Sequence, residues 1–260
     1  MISALNNWLK FIVKKSFLGP LIGKIRSSSI KLVRFKIRYD QDELITAHYP
    51  YFQNEEKFVN AVKSNFEFDE ISRDLIDHDW RIHILCSLAL GASKESKGDF
   101  IECGVFRGDC AKSIISYCNL DKSDKTFWLL DSFDGFDMSQ LSNREQVLRS
   151  EEQFKDVLGF VKKKFLTNKC VSIVKGFVPE SLENVSSKNF CFAHIDMNAS
   201  YPEKEALKYI FPRLEKGGVI VFDDYGHAGH EEQKEAIDKV AHSFGRIVTC
   251  LPTGQGILFK

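Results

Sequence analysis

The sequence predicts an α/β fold, doubly wound around a mostly parallel sheet of seven strands and preceded by a helical N-terminal extension. Three observations predict it. Short, continuous apolar runs alternate with stretches whose apolar residues recur every three or four positions; continuous runs belong to strands buried on both faces. The leading runs are each followed by a helical stretch, the order that builds a parallel sheet covered on both sides. Four runs end in acid, at Glu102, Asp131, Asp196 and Asp223 with Asp224. Such sheets bind ligands beyond the carboxyl ends of their strands.

The elements follow in order. Residues 1–45 read as a basic arm. Its first 40 positions hold nine Lys and Arg against the single acid Asp40. The whole chain is neutral, so the remainder is net acidic. Trp8 to Leu18 is apolar but broken by Lys10, Lys14 and Lys15, and Gly19–Pro20 ends it. A secretory signal has its charges ahead of an unbroken apolar stretch. Two readings of the arm stay open: a poorly ordered or core-docked segment, or an interfacial helix on an anionic membrane. Residues 46–97 read as a helical cap, with helices over 55–66 and 69–91 and a polar linker from Gly91 to Gly98. Residues 98–260 read as the ligand-binding domain. Its strands are expected at 99–105, 126–131, 170–174, 190–196 and 218–223, with two short ones at 246–250 and 256–259. Helices are expected over 109–118, near 144–165, from Pro202 to about Leu214, and over 231–244; proline favours the first turn of a helix.

Composition narrows the function. Hydrophobic residues make up 43% and charged residues 28%, the usual proportions of a globular protein. No apolar run approaches the roughly 18 residues of a spanning helix. The seven cysteines (Cys86, Cys103, Cys110, Cys118, Cys170, Cys191 and Cys250) lie mostly in apolar runs with no C-x-x-C pair. They read as reduced, buried side chains in a cytoplasmic protein, and argue against a zinc site. No nucleic-acid partner is expected.

The loop after the first strand reads Glu102-x-Gly104-x-x-x-Gly108. Glycines let backbone approach a ligand closely. The spacing is not the G-x-G-x-x-G of dinucleotide sites, which disfavours a nicotinamide-dependent oxidoreductase. A carboxylate at Glu102 suits a cationic ligand, such as the amino group of S-adenosylmethionine. Asp131, closing the second strand, is placed to accept from ribose hydroxyls; a turn cap is its alternative role. Asp196 and Asp223–Asp224 close strands expected to be neighbours. Three like charges in one cleft repel, and a divalent cation removes that cost; oxygen ligands suit Mg2+ rather than zinc. The alternative is a capping Asp224, a solvated Asp223 and Asp196 paired elsewhere.

Five segments then combine: Glu102–Gly108, Leu130–Phe136, Lys175–Leu182, Ala193–Asn198 and Gly217–Gly226. Their order and spacing resemble the macrocin O-methyltransferase-like family, over about residues 70–260. The resemblance implies a class I, Rossmann-like methyltransferase fold, S-adenosylmethionine and Mg2+ as cofactors, and methylation of sugar or related hydroxyls. By position it implies that Glu102, Gly104 and Gly108 form the cofactor loop, that Asp131 and Ser132 meet the ribose, and that Gly176 and Phe177 approach the adenine. It implies Asp196, Asp223 and Asp224 as metal ligands. Where the family usually carries a second Asp two places on, followed by Leu-Tyr, this chain has Asn198, Ala199 and Ser200, with Tyr201 one place later.

The expectation is a metal-dependent O-methyltransferase acting on a small-molecule or glycan acceptor. Asp196 is expected to serve as metal ligand and base, with His227 as the competing base, and His194 as a structural residue. A catechol-type enzyme and a non-catalytic cofactor-binding protein are the rival readings. A homo-oligomer and peripheral contact with the inner membrane surface are further expectations.

Overall fold

The computed structural model describes residues 36–65, 78–150 and 153–260. Most of the basic arm and the first part of the helix expected over 69–91 therefore lie outside the described residues. Contacts divide the chain into residues 1–50 and 51–260. In the first unit, β1 (Tyr39–Gln41) pairs antiparallel with β2 (Leu44–Thr46). Asp42 and Glu43 between them both take positive φ, as a two-residue hairpin turn requires. Asp-Glu is not a customary pair for such a turn, and the hairpin is absent from the sequence reading.

The second unit opens with α1 (Glu56–Lys63) and α2 (Asp79–Glu95). Gly91 lies inside α2, rather than starting a linker. The sheet contains β3 (Asp99–Cys103), β4 (Phe127–Asp131), β5 (Val171–Lys175), β6 (Phe190–Ile195), β7 (Leu214–Phe222), β8 (Thr249–Cys250) and β9 (Gly256–Phe259). Their order is β5-β4-β3-β6-β7-β9-β8. The first five run parallel, while β9 is antiparallel to β7 and β8 to β9. This is the mostly parallel seven-stranded sheet the apolar runs predict. The order reverses at β3, whose carboxyl end faces that of β6, so a ligand crevice is expected there.

Side chains alternate between the two faces of each strand. Phe100, Phe127 and Phe192 join α1, α2 and α3 (Asp109–Cys118) in one core layer. Ile101, Leu130, Ala193 and Ile195 join α6 (Ser200–Arg213) and α7 (Glu231–Ser243) in the other. The alternation sends Glu102 of β3 and His194 of β6 to the first layer, where they are register partners.

The helix expected near 144–165 is two helices, α4 (Asn143–Leu148) and α5 (Leu158–Lys164). A capping box of Ser142 and Glu145 starts α4. Arg149 then goes extended, and Phe154 and Asp156 take positive φ. Phe154 packs edge-on to Phe106 and Phe136, so aromatic packing overrides local helix propensity. All seven cysteines are free; Cys86, Cys103, Cys170 and Cys191 are buried, Cys110 and Cys118 half-buried, and Cys250 is exposed, against the expectation of burial. Among the described residues no helix is long and apolar enough to cross a membrane.

Candidate active site

The carboxyl ends of β3 and β6 are pressed together. Gly104 follows β3 with φ +89°, and a Cβ there would lie 1.8 Å from the carbonyl oxygen of Asp196. Only glycine fits such an approach at that φ. The amide of Gly104 donates to Leu130 O (2.9 Å) and that of Asp196 to Cys103 O (2.8 Å). Gly108, with φ +76°, caps α3, and its missing side chain leaves room for the ring of Phe165.

Asp131 fastens this loop. Its Oδ2 accepts from the amides of Val105 (2.7 Å) and Phe106 (2.8 Å), and its Oδ1 from that of Phe133 (2.6 Å). The capping role left open from the sequence is therefore present, and one acceptor site on Oδ1 remains for a ligand. Ser132 Oγ donates to Gly135 O, and the amide of Gly176 to Asp131 O. Gly104, Asp131, Ser132, Gly176, Phe177 and Asp196 line one cavity. This cavity unites the expected cofactor residues apart from Glu102 and Gly108.

A second cavity lies on the α2 side, lined by His78, Arg81, Glu102, Cys110, Asp196 and Asp223 among others. The two cavities share Gly104, Phe106 and Asp196. Among the described cavities neither has His227 in its walls; its ring packs against Gly254, where a Cβ would lie 2.3 Å from Nε2.

The acidic cluster carries its own counter-charges. Arg81 Nη1 lies 2.6 Å from Asp223 Oδ2 and 3.8 Å from Asp224 Oδ1. Gln255 Nε2 donates to Asp223 Oδ1 at 3.0 Å. Burial opposes ionisation of Asp223, but Arg81 and His194 hold its carboxyl well below the usual carboxylate range. Burial, then the charges of Asp223 and Asp224, push Asp196 well above that range. Burial and Asp223 also raise Asp224, whose Oδ2 lies 3.6 Å from His230 Nδ1.

His194 is 1% exposed and its Nδ1 lies 2.8 Å from Glu102 Oε1. Its Nε2, 3.5 Å from Asp223 Oδ1, has no hydrogen-bond partner, and neither has Glu102 Oε2. Potential ligand atoms of His194, Asp196 and Asp223 lie within 4.8 Å of one another; Asp224 is outside that group. Glu102, Cys110 and His194 form a second such group. A buried imidazole nitrogen that faces one carboxylate at 3.5 Å, with a second carboxylate close by, is a donor set that fits a divalent cation.

Sequence reasoning passed over Arg81 and Glu203, and read His194 as a structural residue. Glu203 on α6 is 2% exposed and accepts from the amide of Met197 (3.1 Å) and from Gln233 Nε2 (2.8 Å), fixing the segment after Asp196. Burial, then the charge of Asp224, raises its carboxyl to about 8. A folded-state pKa above the unfolded one means stability present below about pH 4.5 and lost as pH rises toward 8. Glu203→Gln keeps the acceptor and removes the titration. The variant should match the parent in urea unfolding at pH 5 and exceed it at pH 8.5 by on the order of a few kcal/mol. Equal stability at both pH values would refute the assignment.

The match to known families follows this geometry. The model described as Macrocin-O-methyltransferase (TylF) matches residues 85–244, over half of the chain; the match takes in every residue lining the first cavity, while His78, Arg81 and Ile82 of the second precede it. The chain belongs to the macrocin O-methyltransferase family. Mycinamicin III 3''-O-methyltransferase of Micromonospora griseorubida is 27% identical over 142 residues, covering 49% of this chain and 55% of that protein. The chain thus spans about half the length of that curated relative. Among solved structures, the O-methyltransferase NovP aligns with a TM-score of 0.61 at 18% identity, over 69% of this chain and 79% of that one. CalS11, a calicheamicin methyltransferase, aligns at 0.58 and 17%, over 79% and 92%. The fold is that of the class I, Rossmann-like O-methyltransferases, as the five segments imply.

Proposed function

We propose that this chain transfers the methyl group of S-adenosylmethionine to a sugar-type hydroxyl with the aid of a divalent cation. The observation that carries the proposal is the meeting of two cavities at Asp196. The cavity holding Asp131, Ser132, Gly176 and Phe177 takes the cofactor, with Asp131 and Ser132 toward its ribose and Phe177 toward its adenine. The cavity toward Arg81 takes the acceptor. A methyl group carried from sulfur to oxygen must pass between them, and Asp196 lines both.

The sulfonium is a good leaving group, so the chain's task is to aim the hydroxyl and take its proton. Alignment of the reacting groups alone supplies several kcal/mol. Asp196 accepts the proton. Burial and its acidic neighbours raise its proton affinity above that of an ordinary carboxylate, which strengthens it as a base. Asp196 and Asp223, with Asp224 nearby, would hold a divalent cation, which would supply Lewis acidity and orientation to the hydroxyl. Asn198 Nδ2 donates to Asp196 Oδ1 at 3.1 Å, which leaves Oδ2 for the reacting oxygen.

Radiolabelled S-adenosylmethionine, tested with glycosides, nucleotide-linked sugars and catechols, should label the sugars. EDTA should abolish the transfer, and Mg2+ or Mn2+ should restore it. Labelling of catechols alone would overturn the sugar assignment; full activity after exhaustive chelation would overturn the cation. The basic arm is assigned to location at an anionic membrane surface. A chain beginning at residue 46 should keep cofactor affinity and lose binding to phosphatidylserine vesicles, and unchanged vesicle binding would refute that role.

A further inference from the structure

We infer that His194 is a nitrogen ligand of the divalent cation, oriented by Glu102, and that the centre therefore prefers a first-row transition ion to Mg2+. The inference rests on the reading that a cation occupies the acidic cluster. It adds a ligand and a class of metal to that reading.

His194 sits in β6 among Phe192, Ala193 and Ile195, all fully buried. An imidazole there is costly unless both nitrogens have work. Nδ1 has a partner in Glu102 Oε1 at 2.8 Å. A carboxylate accepts, so Nδ1 carries the hydrogen, and Nε2 is the nitrogen that faces the cluster. A carboxylate behind one imidazole nitrogen and a metal before the other is the recurrent arrangement of histidine ligands; it fixes the tautomer and the ring plane. Here the carboxylate is in place, the register partner in β3. Nε2 makes no hydrogen bond of ordinary length and faces Asp223 Oδ1 at 3.5 Å.

The spacing agrees. Ligand atoms at about 2.1 Å from an ion lie about 3 Å apart when adjacent and about 4.2 Å when opposite. His194 Nε2 and Asp223 Oδ1 are 3.5 Å apart, and the set with Asp196 closes within 4.8 Å. Arg81 engages Asp223 through Oδ2, which leaves Oδ1 on the side of the imidazole, shared with Gln255. On binding, any proton on Nε2 goes to solvent and the nitrogen lone pair forms the metal bond. Mg2+ takes oxygen ligands and keeps its waters, whereas imidazole favours the first-row transition ions.

The test loads the full chain with Mn2+ and reads electron spin-echo modulation from nitrogen bound directly to the ion. The wild type should show 14N modulation that changes to a 15N signature when only histidine is 15N-labelled. It should bind Mn2+ at least tenfold more tightly than Mg2+. His194→Gln should lose the nitrogen signal and at least tenfold in Mn2+ affinity. Glu102→Gln should keep the signal with 10- to 100-fold weaker binding. His227→Gln and His230→Gln should keep it unchanged, as should His78→Gln in the wall of the same cavity, so the assignment stands on these variants even if His194→Gln does not fold. Bound Mn2+ without histidine coupling, or coupling lost in any of the last three variants, overturns the role of His194 and leaves the cation in place. Failure of the wild type to bind Mn2+ overturns both.

Discussion

Asp196→Asn is expected to lower methyl transfer by about 100- to 10,000-fold, the usual contribution of a positioned acid or base. The substitution keeps the shape and one oxygen, so Asn198 still has an acceptor. It removes the charge that takes up the hydroxyl proton. Stability should move the other way. Burial, then the charges of Asp223 and Asp224, make the charged form of Asp196 costly. A neutral amide relieves that cost, so the melting temperature should hold or rise. Cofactor affinity should change little, because Asp131 and the loop it fastens are untouched. The loss then falls on the transition state rather than on binding. Turnover within a few-fold of the wild type would remove Asp196 as the base. A melting temperature that drops along with activity would instead mean that the residue is structural.

The strand-end acids were legible because parallel strands announce themselves as unbroken apolar runs, and their last residues fall at the ligand edge whatever the helices do. Glycine spacing marked the loop, but what makes Gly104 obligatory is the backbone of Asp196, about 90 positions away. His194 was readable only in part. An imidazole in an apolar run is ordinarily a satisfied core residue. The signal that it is more was Glu102, a second ionisable group in another apolar run. Two such groups in buried strands must find partners, and only the β3–β6 register makes them each other's. Arg81 left no signal. It reaches Asp223 across 142 residues of sequence, from a helix whose periodicity says which face is buried but not what lies against it. The broken helix near 150 was missed for a related reason. Phe154 leaves the helix to meet Phe106 and Phe136, which come from two other loops.

Gly104→Ala should be the most damaging methyl group added to any glycine among the described residues. A Cβ at this position lies 1.8 Å from Asp196 O, 2.5 Å from its carbonyl carbon and 3.2 Å from Met197 N. All three are backbone atoms, so no side chain can rotate aside. The φ of +89° adds the cost of a left-handed conformation for an L-residue, about 1–2 kcal/mol. Relief requires β3 and β6 to separate at their carboxyl ends, where Asp196 N bonds Cys103 O and Gly104 N bonds Leu130 O. Strain and lost hydrogen bonds together should cost about 3–5 kcal/mol in urea unfolding. The shift would also carry Asp196 away from the shared wall of both cavities and loosen the amides of Val105 and Phe106 from Asp131, so S-adenosylmethionine affinity should fall at least tenfold. Gly91→Ala provides the contrast. Gly91 lies on the exposed face of α2 with nothing within 4 Å of an added Cβ, and alanine there should stabilise the helix by up to about 1 kcal/mol. If both variants unfolded at the same urea concentration, the close approach of the two strand ends would not be the constraint that fixes glycine at position 104.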